Sequence, residues 1–316
     1  MHTQIGRMNR DRATAFAPAS TSNLAVGFDI LGHPVGPMGD RVTVVRRAGS
    51  GVLAVTGEGV PTDPALNTAT VGVMRMLDDL RPGFGVEVHV AKGIPLGSGV
   101  GGSAASAVAG VVAMNALLPE PLETRELFRY ALAGEAVASG AIHGDNVAPS
   151  LFGGLVLVRS AEPADVVRLP VPPSLRCTIA LPRMRLDTRT SRGVLPDSFP
   201  LHTVIEQTAN LAGVVAGCCT GNLALVARSM TDVLVEPHRA SLIPGFADVQ
   251  GAALAAGALG CSISGGGPAV FAWCDGDEAA ESVRAAMVAA FARHDVSAEG
   301  WVSRVDGPGA RVEELP

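Results

Sequence analysis

The run Leu96-Gly97-Ser98-Gly99-Val100-Gly101-Gly102-Ser103-Ala104-Ala105-Ser106 combines small side chains with hydroxyls. It lies between a strand pattern and a helix pattern. Glycine lets a backbone approach a ligand closely, and the first N–H groups of a helix have no helical partner. With the positive end of the helix dipole behind them, such groups suit a phosphate. Three other loop chemistries share parts of this spelling. Gly97, Gly99 and Gly102 satisfy G-x-G-x-x-G, but a dinucleotide fold needs a strand after the helix, and here a second helix pattern follows. A Walker loop needs a lysine after its last glycine, where this chain has Ser103. Ser103 on a strand-to-helix elbow could act as a nucleophile, yet the spelling is G-x-S-x-A and no Asp…His order supports a triad.

Phe128, Leu132, Glu135 and Ser139 recur at steps of four, three and four, so they share one helical face. Glu135 is thereby placed on the buried side, where a carboxylate is costly unless it is paired or binds a metal. Mg2+ at phosphoryl-transfer sites takes one or two carboxylates plus phosphates. An arginine partner or a boundary position satisfies the same spacing. His143-Gly144-Asp145-Asn146 follows, a tight turn whose donors and acceptors could hold a hydroxyl group. Asp and Asn also favour turns for purely local reasons.

These groups need a scaffold. Strand patterns fall at residues 13–18, 41–47, 51–55, 84–90, 153–158, 176–181, 269–273 and 300–305. Residues 19–29 read as a turn-rich segment. The strand at 84–90 alternates, with Phe84, Val86, Val88 and Val90 inward and His89 solvated on the outer face. Helix patterns fall at 68–80, 103–117, 124–139, 201–219, 222–235, 247–259 and 277–294, with Thr124 the expected N-cap of the third. The proline-rich stretch 170–173 reads as a linker. Mixed strands and helices in both halves, without a fixed-period repeat, predict two α+β domains, at 13–168 and 174–312. Residues before 13 and after about 306 read as loosely held tails.

Composition narrows the function. With 47% apolar and 17% charged residues, the 316-residue chain is a well-buried globular protein. A net charge of −6 argues against a dedicated nucleic-acid binder. No apolar run is long enough to span a membrane, and no apolar segment follows the arginines of the first dozen residues as in a signal peptide. A cytoplasmic protein is expected. The five cysteines form no C-x-x-C pair, and adjacent Cys218 and Cys219 diverge on a helix, so all five read as small hydrophobes in a reducing compartment.

Taken in order, the motifs resemble the homoserine kinase family of the galactokinase, homoserine, mevalonate and phosphomevalonate kinase superfamily. They are Pro18-Ala-Ser-Thr-Ser-Asn23-Leu-Ala-Val-Gly27-Phe28-Asp29-Ile-Leu-Gly32, the glycine loop, Glu135, the turn from His143 to Ser150, Glu236-Pro-His-Arg239-Ala-Ser-Leu-Ile-Pro244-Gly-Phe, and Ser264-Gly-Gly-Gly-Pro268. The likeness spans about residues 13–312. It implies an N-terminal ribosomal-S5-domain-2-like domain, a C-terminal ferredoxin-like domain and a site between them. It implies a magnesium-dependent transfer from ATP to the hydroxyl of L-homoserine, within threonine biosynthesis, and a homodimer. By resemblance, Leu96, Gly97, Ser98, Gly99, Val100, Gly101, Gly102, Ser103, Ala104 and Ser106 wrap the ATP phosphates, and Asn67 contacts the nucleotide. Ser103 and Glu135 hold Mg2+. Asn23, Asp29, His143, Asp145 and Asn146 surround the acceptor, and Arg192 and Arg239 bind its carboxylate. Guanidinium forks match a carboxylate bidentately, and Asp29 suits the ammonium. Asn146 aims the hydroxyl, Asp145 positions the site rather than serving as an obligatory base, and Arg192 completes the catalytic group.

Two departures from the family spelling stand out. The usual loop reads G-L-G-S-S-A-A-S, where this chain has Val100 and Gly102. The usual last motif reads S-G-A-G-P-T, where this chain has Gly266 and Ala269. Gly102 keeps its N–H but loses a hydroxyl, which predicts looser phosphate contacts.

Overall fold

The computed structural model describes residues 10–139 and 143–313, with side chains left out at Ala138 and Ser139. Most of the expected N-terminal tail lies outside this range, as does the side chain of Ser139. In chain order the N-terminal half contains β1 (Arg12–Asn23), β2 (Gly27–Arg47), β3 (Val52–Thr56), α1 (Thr68–Leu80), β4 (Gly85–Ala91), α2 (Gly102–Asn115), α3 (Thr124–Ser139), α4 (Val147–Phe152), β5 (Leu155–Ser160) and β6 (Asp165–Leu169). Then come β7 (Leu175–Pro182), α5 (Thr188–Gly193), α6 (Leu201–Thr220), α7 (Leu223–Ser229), α8 (Glu236–Arg239), α9 (Phe246–Ala255), β8 (Gly260–Ile263), β9 (Val270–Asp275), α10 (Asp277–Ala292), β10 (Ala298–Arg304) and β11 (Arg311–Glu313). The chain is a two-domain α+β protein with one sheet in each part.

The first sheet follows the path β11-β1-β2-β4-β3, with β5 joined to β2 and β6 to β5. Only β3 and β4 pair in parallel. The second sheet, β10-β7-β9-β8, is antiparallel throughout. Helices α1, α2 and α3 pack together, and α2 lies directly on β1 and β2. Alanine and valine make α2 apolar all round, as a helix enclosed on every side must be. Gly110 allows the close approach of α1, since a Cβ there would lie 2.1 Å from the carbonyl oxygen of Ala69. A second core joins the C-terminal sheet to α9 and α10.

Several sequence expectations need correction. The segment 19–29 is not a run of turns. Strand β1 continues to Asn23, the chain turns over Leu24, Ala25 and Val26, and β2 returns from Gly27. Residues 13–27 are buried without a break, so no alternation marks these strands. Strand β6 was not expected. The helix expected at 222–235 stops at Ser229, because the carboxylate of Asp232 accepts the N–H groups of Leu234, Val235 and Glu236 and starts a new turn. The helix expected at 247–259 ends at Ala255, before Gly257 at φ +100°. Thr124 lies inside α3 rather than capping it; the N–H of Glu123 is taken by the carboxylate of Glu126. Residues 311–313 are not part of a loose tail. Strand β11, which the boundary 174–312 assigns to the second domain, pairs with β1 in the first sheet.

A buried hydrogen bond links the two sheets, which also share an apolar core. The indole Nε1–H of Trp273 on β9 donates to Nε2 of His33 on β2 at 3.0 Å, and Nδ1 of His33 lies 2.9 Å from the carbonyl of Pro34. Burial pushes the His33 pKa down to about 4, so the ring is neutral and Nε2 accepts. Four of the cysteines are buried, Cys219 is exposed, and all five are free thiols. No helix among the described residues is long and apolar enough to cross a membrane.

Replacing Trp273 by Phe leaves the acceptor of His33 buried and unpaired, and should cost about 1–3 kcal/mol in urea unfolding at pH 7. In the native protein the folded imidazole protonates near pH 4, against 6.5 for the free group. The unfolded chain therefore binds more protons between these values. The stability contributed by His33 is complete above the upper value and is lost as pH falls towards the lower one, which acid titration of the unfolding midpoint would show.

Candidate active site

The site is a cleft of about 790 Å3 between the two parts of the chain. One wall is the glycine loop. Its carbonyls face the protein: that of Gly97 accepts from Leu186 N–H, Ser98 from Ala269 N–H, Gly99 from the Ser264 hydroxyl and Val100 from Ser20 N–H. Among the described residues, the N–H groups of Ser98, Gly99, Val100 and Gly101 make no hydrogen bond, and no side chain caps α2. The loop thus buries its negative ends and leaves its positive ends open, the polarity an anion requires. Two glycines are obligatory. Gly99 has φ +78°, and a Cβ there would sit 2.5 Å from the carbonyl oxygen of Gly267; Gly101 has φ +67°, and a Cβ would sit 2.3 Å from Ser20 Oγ.

The height of this loop is set by Asp40, which is fully buried in β2. Its Oδ1 accepts the N–H groups of Gly93 and Ile94, at 3.0 and 3.1 Å, where the chain leaves β4. Its Oδ2 accepts from the Ser106 hydroxyl at 2.6 Å and from the ammonium of Lys92. Lys92 also donates to the Gly102 carbonyl and to Ser106 Oγ, at 2.8 and 3.0 Å. One carboxylate therefore holds both ends of the loop. The sequence reading missed Asp40 and Lys92. The available signal was an acid inside a strand otherwise rich in valine.

Beside the loop, at Gly101, stands the turn after α3. Asn146 is held on both sides of its amide. Ser20 donates to Oδ1 at 2.9 Å, and Nδ2 donates to Ser22 Oγ at 2.9 Å. Ser20 and Ser22 are two apart on β1, so their side chains share one face of the strand. The amide still keeps one N–H and one lone pair for a ligand. Asp145 is buried, and burial followed by the charge of Asp29 pushes its pKa up to about 6, while a hydrogen bond with Ser22 opposes the shift. Glu135 is buried near the end of α3, and burial pushes it up to about 7, opposed by a hydrogen bond with Ser103.

The far end of the cleft is charged. Arg192 Nη2 donates to both carboxylate oxygens of Asp29, at 2.8 and 3.0 Å, and His143 Nδ1 lies 3.6 Å from the same carboxylate. Burial lowers the His143 pKa, Arg192 lowers it further, and Asp29 opposes both. Arg239 is 3% exposed and donates to the carbonyls of Ser191 and Gly265. Both guanidiniums lie over the Phe28 ring, 5.3 and 5.2 Å from its centre. Asn23 accepts the Asp29 N–H and donates to Gly265 O, at 3.0 and 2.8 Å. Asn23, Leu24, Ala25 and Asp29 all have positive φ. Such geometry costs about 1–3 kcal/mol per non-glycine residue and is held by the bonds and burial around it. Arg192 Nε and His143 Nε2 are buried with no hydrogen-bond partner among the described residues.

Most residues singled out from sequence line this cleft, with four adjustments. Val100 and Ala104 are fully buried in the core and do not line the cleft. The hydroxyl of Ser106 belongs to Asp40 and Lys92. The amide of Asn67 caps α1 by accepting Ala69 N–H and braces the Pro61 carbonyl, so it shapes the wall. Gly102 has little room for more: a Cβ would sit 3.1 Å from Ile94 Cγ2. At Gly266 the nearest atoms to an added Cβ, those of Ser191, are 3.4 Å away, so an alanine would fit.

Family models for the GHMP kinases N terminal domain and the GHMP kinases C terminal region match residues 68–154 and 214–293. The chain is 47% identical to a homoserine kinase of Xylella fastidiosa over 305 residues, 95% of this chain and 94% of the relative. It is 41% identical to a homoserine kinase of Chlorobium phaeobacteroides, over 95% of this chain and 98% of the relative. A crystal structure of homoserine kinase from Cytophaga hutchinsonii superposes with a TM-score of 0.95 at 42% identity, covering 99% of this chain and all of the other.

Changing Asp40 to Asn removes the charge that balances Lys92 at the foot of the loop. It should lower unfolding free energy by about 3–5 kcal/mol, the range for stripping one partner from a buried pair, and should impair nucleotide binding in parallel. A variant as stable as the parent in denaturant would contradict this account of the loop.

Proposed function

The chain belongs to the homoserine kinase family of the GHMP kinases, and from that premise we propose how its cleft transfers the terminal phosphate of ATP to the hydroxyl of L-homoserine. The observation that carries the reading is polarity. Open N–H groups line one end, a paired acid and arginine with a second guanidinium line the other, and a clamped amide lies between them. The acceptor is a zwitterion with a hydroxyl on a short chain. Its carboxylate meets Arg192 and Arg239, and its ammonium meets Asp29. The Asp29–Arg192 pair preforms this charge pattern, so binding exchanges one ion pair for two. The free Nε of Arg192 and the neutral ring of His143 supply further hydrogen bonds.

Phosphoryl transfer asks little covalent help of a protein; positioning and charge neutralisation do most of the work. The loop N–H groups bind the phosphates. Asn146, fixed by Ser20 and Ser22, orients the hydroxyl in line with the phosphate. Asp145 lies beside it and fixes the turn. Ser103 and Glu135 suit Mg2+: two hard oxygens already joined by a hydrogen bond, the carboxylate held in a buried place that raises its pKa. A bound Mg2+ would neutralise charge on the phosphates. The unpaired thiols fit a reducing, cytoplasmic setting.

In an ADP-release assay, L-homoserine should support turnover and withholding Mg2+ should abolish it; alcohols lacking the carboxylate should be poor acceptors. Changing Arg192 to Lys should raise the homoserine KM about 10- to 100-fold through loss of the fork, with the KM for ATP unchanged. An equal rise in the ATP KM would remove the carboxylate assignment. Changing Asp145 to Asn should keep turnover within about a hundredfold of the parent, since an obligatory base would account for at least that much. Collapse of turnover at unaltered substrate affinity would make Asp145 the base.

A further inference from the structure

Among the described residues, four lysine and arginine side chains line the cleft: Lys92, Arg189, Arg192 and Arg239. Three are committed. All three ammonium hydrogens of Lys92 have acceptors, in Asp40, Gly102 and Ser106. Arg192 is bound to both oxygens of Asp29. Arg239 is buried and donates to two backbone carbonyls. Arg189 is exposed, and among the described residues it makes no hydrogen bond, ion pair or ring contact. It is the cleft cation with every donor uncommitted.

Its backbone is nonetheless placed. Three residues earlier, Leu186 N–H is bonded to Gly97 O at 3.1 Å; two residues later, the Ser191 hydroxyl donates to Gly266 O at 2.6 Å. The start of α5 is thus fastened to the phosphate loop on one side and to the loop after β8 on the other. Arg189 and Arg192 are three apart on this helix and share a face. Arg192 already faces Asp29, at the acceptor end of the cleft. A guanidinium on the same face, on a segment tied to Gly97, lies between the acceptor end and the phosphate loop. The phosphate nearest the acceptor is the one transferred, and its charge needs a partner beyond the loop N–H groups.

We propose that Arg189 binds the terminal phosphate of the nucleotide, supplied in cis by α5. This rests on the kinase reading above, and nucleotide binding tests it without any acceptor present. Among the described residues the exposed side chain makes no hydrogen bond, ion pair or ring contact, so Arg189→Ala should fold with an unchanged Tm. In calorimetry with Mg2+, Arg189→Ala should bind a non-hydrolysable ATP analogue about 10- to 100-fold more weakly, the span for one charge-assisted contact, while ADP binding stays within twofold. Arg189→Lys should recover part of the loss, and kcat/KM for ATP should fall with the homoserine KM unchanged. Analogue binding within twofold of the parent, or an equal loss for ADP, would overturn the assignment. Failure of the native protein to phosphorylate homoserine would overturn the acceptor assignment and leave the binding result standing.

Discussion

The carboxylate of Asp40 is the constraint on which the site depends. A bare charge inside a sheet is costly, and it is tolerated here because four donors meet it: two backbone N–H groups, a hydroxyl and an ammonium. Those donors come from both sides of the glycine loop. Satisfying the charge fixes where the chain leaves β4 and where α2 begins. Between these points the loop has little freedom, and its carbonyls are drawn off one by one by Leu186, Ala269, Ser264 and Ser20. What remains toward the cleft is a row of N–H groups, so a cavity of electropositive backbone results from the burial of one negative side chain. Lys92 plays a double part: it balances Asp40 and also donates to the Gly102 carbonyl.

The second domain contributes through loops rather than through its core. Gly265 O accepts from both Asn23 and Arg239, and Gly265 N–H donates to Ser22 O. The tip of the β1–β2 hairpin is bound in this way to the loop after β8. The unfavourable φ angles of Asn23, Leu24 and Ala25 persist because these bonds and the burial of Leu24 and Ala25 hold them. The same tip carries Phe28 and Asp29 to the two arginines. The acceptor end is therefore assembled from both parts of the chain, which the buried Trp273–His33 bond also links.

Much of this was legible in the sequence where a local rule applied. The glycine loop, the helix ending before Pro82 and the alternating strand from Phe84 to Val90 each carry their own signal, and Glu135 was placed by helical spacing. Legibility failed where long-range contact decides. The buried hairpin has no polar face to give a period. Strand β11 is three residues long and exists because β1 offers an edge. Asp232 reshapes the end of α7 by capping a turn, which composition does not reveal. Asp40 and Lys92 are 52 residues apart, and neither belongs to a motif. Val100 and Ala104 were drawn in with their neighbours, although a loop that cradles a ligand with its backbone turns some side chains into the core.

Gly101 has a consequence for how the two substrates meet. It stands on the phosphate loop, yet the atoms its missing side chain would strike are Ser20 Oγ and Asn146 Oδ1, the clamp that holds the acceptor's hydroxyl. The nucleotide wall and the hydroxyl-orienting amide are in van der Waals contact with no spacer between them. Any shift that tightens the loop on the phosphates presses on the amide, and any alcohol that seats the amide steadies the loop. If occupancy of one half alters the affinity of the other, thermodynamics makes the effect the same factor in both directions. The donor wall and the acceptor clamp thus meet across a single layer of atoms.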